Sequence, residues 1–119
     1  MQNLIFKETD GELTASLYGE LDHYLASSVR ERTDGEINAA RPSRFVLDIS
    51  GVSFMDSSGL GLIMGRYTVC RGLGIDFVLR GADERAMKIL DMAGLCSVIS
   101  TENAKKEGEK NEKQACKRN

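Results

Sequence analysis

The stretch Phe54-Met55-Asp56-Ser57-Ser58-Gly59-Leu60-Gly61 constrains this 119-residue chain more than any other. Upstream, Phe45-Val46-Leu47-Asp48-Ile49 is a short apolar, partly β-branched run suited to a central strand. Downstream, Leu60, Ile63, Met64 and Tyr67 fall at i, i+3, i+4 and i+7, which predicts one buried helix face. A strand must therefore turn into a helix at Asp56-Ser57, and one of these two residues is the expected N-cap. Free amide donors and the positive end of the helix dipole make such a junction receptive to an anion, including a phosphate attached to Ser57.

The flanking sequence alternates strand and helix signals. Leu4-Ile5-Phe6 begins a strand, Thr9-Asp10-Gly11-Glu12 carries turn chemistry, and Leu13, Ala15 and Leu17 alternate with polar residues, which predicts a hairpin. Asp22 caps a helix expected to reach about Ala40, although Thr33 interrupts its sparse apolar face and Asp34-Gly35 is a potential break. Pro42 closes that segment before the central strand at 44–49. The next helix, near 58–71, stops at Gly72-Leu73-Gly74, and Ile75 to Leu79 reads as another buried strand. Asp83 is the expected cap of a third helix with Ala86, Ile89, Leu90 and Ala93 on its apolar face, followed by a last strand at 96–100. The expected fold is α/β: one mixed sheet, helices packed mainly on one face, order β-β-α-β-α-β-α-β.

Composition bounds the function. Hydrophobic residues are 41% and charged residues 29%, as in an ordinary globular domain. No apolar run approaches the roughly 20 residues that span a bilayer, and no basic-then-apolar leader opens the chain. The expected location is cytoplasmic, with no membrane partner. A net charge of -2 gives no reason to expect nucleic acid as a partner. Residues 101–119 hold six basic and four acidic side chains, so a charged, flexible tail is expected after a domain over 1–100. Cys70, Cys96 and Cys116 are widely spaced and odd in number, which argues against a disulfide framework or a zinc site. Cys70 and Cys96 are expected as small buried residues, and Cys116 as a thiol of the tail.

Phe54 to Gly61, continued by Leu62-Ile63-Met64-Gly65-Arg66-Tyr67, resembles the signature of the anti-sigma factor antagonists, the bacterial branch of the STAS domains. Gly19-Glu20-Leu21-Asp22-His23 and Leu90-Asp91-Met92-Ala93-Gly94-Leu95 resemble two further segments of that family, at its spacing, over about residues 1–100. The nearest likeness is to the branch acting on sigma-F in sporulation. This resemblance implies that Ser57 is phosphorylated and that Asp22, Met55, Asp56, Ser57, Ser58, Gly59, Leu60 and Gly61 form a docking surface. It implies as partners an anti-sigma factor that is also a serine kinase, and a serine phosphatase that resets Ser57. ATP and metal belong to those partners, so no cofactor is expected on this chain. The family usually carries one more C-terminal helix, whereas residues 101–119 offer only Ala104 and Ala115 as non-cysteine apolar residues.

Other readings of the same residues are weaker. Taken alone, the serines favour a plain capping role, and the resemblance reverses that preference. Gly59, Gly61 and Gly65 invite a nucleotide-binding reading, but Asp56-Ser57-Ser58 occupies the turn where glycine should approach a pyrophosphate. Close approach of another backbone or a partner explains these glycines better. His23 is the only histidine, so metal binding is not expected. It could serve Ser57 as a base only if folding joins them, and no Gly-x-Ser-x-Gly elbow or Cys-x-x-x-x-x-Arg loop exists. The chain reads as a non-enzyme.

Overall fold

Asp10 and Gly11 both hold positive φ, 50° and 81°, as a two-residue hairpin turn with the right twist requires. They join β1 (Leu4–Thr9) to β2 (Glu12–Leu21), which run antiparallel with Leu4 opposite Leu17. This computed structural model describes residues 3–104. After the hairpin come α1 (His23–Ala40), β3 (Arg44–Met55), α2 (Ser57–Gly72), β4 (Asp76–Arg80), α3 (Glu84–Met92) and β5 (Ser100–Glu102). The strands lie side by side in chain order, and every pair after β1–β2 is parallel. The expected α/β order and mixed sheet are therefore present.

One core lies between the sheet and the helices. Leu13, Ala15 and Leu17 of β2, Phe45, Leu47 and Ile49 of β3, and Phe77 and Leu79 of β4 face Val29 and Ile37 of α1, Ile63 and Cys70 of α2, and Leu90 of α3. Each such large side chain contributes on the order of 2 kcal/mol through burial. The opposite face carries no helix among the described residues. By alternation along the strands it presents Glu12, Arg44 and Arg80, which with Glu102 form a chain of ion pairs across four strands. Val46 and Val78 of the same face are buried, at 0% and 6% exposure, although they stand outside the helix-side core.

Several boundaries differ from those the sequence predicts. α1 runs unbroken through Asp34-Gly35, since Thr33 and Ile37 on either side of the glycine are both fully buried; the Thr33 Oγ1 donates to the Val29 carbonyl at 2.7 Å. Thr33 therefore belongs to the packed face. β3 continues to Met55, six residues past Ile49, since β2 accompanies it to Leu21 through two register shifts. α2 buries Gly59, Leu62, Ile63, Arg66 and Cys70, while Leu60 and Tyr67 are half-buried and Met64 is 45% exposed. The buried stripe is thus rotated from the one predicted. β4 runs one residue later than 75–79, and the last strand is Ser100–Glu102, because 96–99 form turns closed by bonds to the Leu95 carbonyl. Cys70 is a buried free thiol as expected, whereas Cys96 is half-buried and disulfide-bonded. The expectation for Cys116, and most of that for the tail, lies outside the described residues.

Candidate functional site

Three parallel strands pass into three helices, and each helix opens on an aspartate. Asp22 Oδ1 accepts the Leu25 N–H at 3.0 Å, Asp56 Oδ1 the Ser58 N–H at 2.8 Å, and Asp83 Oδ1 the Ala86 N–H at 2.8 Å. Because Leu21 pairs with Met55 in parallel register, Asp22 and Asp56 leave neighbouring strands at the same level. The positive ends of α1 and α2 therefore lie side by side at the carboxyl edge of the sheet, where open α/β folds place their binding surfaces. On the other side of the β3 end, Arg85 of α3 lies over the Phe54 ring, 5.6 Å from its centroid.

Packing fixes the turn between β3 and α2. A Cβ built on Gly59 would lie 2.2 Å from Met55 Cγ and 3.0 Å from Leu21 Cδ2, so only glycine lets α2 rest on these two strand ends. Met55 and Gly59 are buried, whereas Ser57 between them is exposed. Asp56, not Ser57, is the cap, and its carbonyl also accepts the Gly59 N–H at 3.0 Å. The Ser58 and Gly59 amides are consequently already used. This narrows the expectation of free donors at the junction to the amide of Ser57 itself, which makes no hydrogen bond among the described residues.

Ser58 faces a different neighbourhood from Ser57. With Gly61 and Leu62 it lines a groove of about 250 Å³, closed on the α1 side by His23, Ser27 and Arg30. A Cβ on Gly61 or Gly65 would meet nothing within 4 Å, so of the three glycines only Gly59 is explained by close approach within the chain. One turn beyond the groove, Arg66 Nε lies 3.1 Å from Asp34 Oδ1 and ties α2 to α1. Arg66 is 3% exposed, and neither its Nη1 nor its Nε makes a hydrogen bond among the described residues, so the contact with Asp34 is an ion pair without hydrogen-bond geometry. Burial lowers its pKa, opposed by Asp34 and reinforced by Arg30. Burial likewise pushes the Cys70 thiol up to about 11, against the pull of Arg66.

The structure thus brings Asp22, Met55, Asp56, Ser57, Ser58, Gly59, Leu60 and Gly61 to one edge of the sheet. Met55 and Gly59 serve that surface from beneath, as buried supports. His23 packs edge-on against Tyr24 and borders the groove of Ser58. Arg30, Asp34 and Arg66 were not singled out from sequence. The i, i+4, i+8 spacing of Ser58, Leu62 and Arg66 was the available signal, since it marks the α2 face turned to α1. Among the described residues, no group of three His, Cys, Asp or Glu is placed to hold a metal, and no helix is long and apolar enough to cross a membrane.

Fold and turn together define a class: residues 3–108 match the STAS domain. The anti-sigma F factor antagonist of Paenibacillus polymyxa is 36% identical over 89 residues, covering 75% of this chain and 76% of the relative. The anti-sigma-B factor antagonist of Bacillus subtilis is 30% identical over 106 residues, covering 89% and 94%. The solved structure of the Bacillus cell fate determinant SpoIIAA in its phosphorylated form superposes with a TM-score of 0.71 at 25% identity, over 87% of this chain and 93% of that one. The chain belongs to the STAS domain family, in its branch of anti-sigma factor antagonists, which are regulators and not enzymes.

Proposed function

We propose that this chain is a partner switch controlled by phosphorylation of Ser57. Unmodified, the surface formed by Asp22 and Met55 to Gly61 binds an anti-sigma factor, which then releases its sigma subunit. That anti-sigma factor is also the serine kinase that modifies Ser57, and a serine phosphatase restores the bare hydroxyl. The switch occupies residues 1–100, ahead of a charged tail whose first residues, Thr101 and Glu102, complete the last strand. It operates in the cytoplasm, without nucleic acid or membrane, and in sporulation under sigma-F.

One observation carries this reading: Ser57 is exposed while the cap beneath it is already complete. Phosphate adds about -1.5 to -2 charge. With Asp56 holding the Ser58 amide, that charge has no vacant role in the fold and projects outward beside an existing carboxylate. A docked partner would have to desolvate both. Reversing occupancy from 1:99 to 99:1 takes about 5.5 kcal/mol of differential binding, and desolvating a double charge beside a carboxylate is of that order. The anti-sigma-B antagonists among the relatives support a second assignment, to a general stress system, with the same switch. A nucleotide-binding role loses support from the same cap, which engages the Ser58 and Gly59 amides of the first turn of α2.

Affinity capture from the native host followed by mass spectrometry tests the reading. An anti-sigma factor recovered with the unmodified chain, and phosphate on Ser57 in the unbound fraction, is the expected outcome. Persistent labelling of Ser57→Ala by the captured kinase would move the site elsewhere.

A further inference from the structure

We infer that the groove between the first halves of α1 and α2 is the second half of the docking surface, and that it takes an acidic segment of the anti-sigma factor. The inference rests on the partner-switch reading and adds to it the chemistry of the contact. A stable interface buries about 800 Å² on each side. The turn at Met55 to Gly61 is too short to supply this, so the partner must extend onto a neighbouring surface. The groove shares Ser58 and Gly61 with the turn and is concave, at about 250 Å³. The recess at Phe54 and Arg85 on the other flank is an order of magnitude smaller, about 20 Å³.

Charge selects the occupant. No acidic side chain lines the groove, whereas His23 and Arg30 do. The ion pairs among the described residues engage Arg44, Arg66 and Arg80 and do not include Arg30, which is exposed. Asp34, one turn further along α1, is held by Arg66. The N-termini of α1 and α2 flank the opening, each already capped by an aspartate, Asp22 and Asp56, so the positive charge lining the groove is that of Arg30. Leu62, 4% exposed, gives an apolar floor, and the bare Cα of Gly61 keeps the wall low. A carboxylate opposite Arg30 with a small apolar side chain over Leu62 satisfies both features. Arg30 is thereby a specificity residue for the partner, and it lies outside the surface expected from sequence.

The test measures binding of the host's purified anti-sigma factor to unmodified wild type, Arg30→Glu, Arg30→Gln and Arg30→Lys over a range of salt. The expected result is a loss of about tenfold or more for Arg30→Glu, with Arg30→Lys close to wild type and melting temperatures unchanged. Arg30→Gln should give a shallower dependence of log K on log salt than wild type. Binding of Arg30→Glu within about twofold of wild type overturns the groove and leaves the Ser57 switch intact. A melting temperature that falls in step with affinity, with the salt dependence unaltered in Arg30→Gln, overturns it as well. Failure of wild type itself to bind overturns the switch reading, and the groove with it.

Discussion

Gly59 leaves room that the Met55 side chain fills: a Cβ at 59 would lie 2.2 Å from Met55 Cγ. Gly61, two residues on, faces open space. Gly59→Ala should therefore lower stability by about 2 kcal/mol through overpacking. Gly61→Ala should raise it by up to about 1 kcal/mol, because glycine is a poor helix residue. Urea unfolding of both variants checks the contrast, and equal shifts of the same sign would contradict it.

The Asp34–Arg66 pair predicts an asymmetry. Arg66 is buried, whereas the Asp34 side chain is 36% exposed and can reach water alone. Asp34→Ala strands a buried guanidinium and should cost roughly 3 kcal/mol. Arg66→Leu removes the desolvated partner and should cost much less. Chemical denaturation of both single variants and the double variant gives the order. A larger loss for Arg66→Leu would mean that the pair contributes through its Coulomb attraction after all.

Cys70 gives a dependence on pH. Its thiol rises from 9.0 to about 11 on folding, chiefly by burial. A raised folded pKa means that its contribution is complete below pH 9 and is lost as pH climbs from about 9 to about 11, because the unfolded chain ionises first. Cys70→Ala should be less stable at neutral pH yet lose less between these two values. Parallel slopes for the two proteins over that window would show that the thiol is not linked to folding.

Ser57→Asp places charge where the cap is already filled by Asp56. Its melting temperature should stay within about 2 °C of wild type, while its affinity for the anti-sigma factor falls. Asp56→Ala, which removes the cap itself, should cost about 1 kcal/mol. Calorimetry separates the two, and a collapse of Ser57→Asp would place the serine in the fold's own support.

On the sheet face opposite α1 to α3, Glu102 holds Arg80 at 3.3 Å, while Glu12 stands at 4.0 Å. Glu102→Ala should destabilise the fold by roughly 3 kcal/mol, since Arg80 is 5% exposed, and should loosen β5 first. Amide hydrogen exchange at Val78 to Arg80 reads that loosening directly. Unchanged protection there would show that the last strand holds without its ion pair.

The order of elements, the hairpin turn and the caps at Asp22 and Asp83 were written in local sequence, because alternation, helical spacing and capping each depend on residues a few positions apart. The place of Ser57 at the head of α2 was legible for the same reason. Tertiary structure decided which α2 face is buried, how far β3 runs, and which of the adjacent serines looks into a groove. Those depend on what lies opposite: Leu21 beneath Gly59, Asp34 beside Arg66, Glu102 across from Arg80. Burial makes partners of residues 22 to 38 positions apart, and no local pattern encodes that distance.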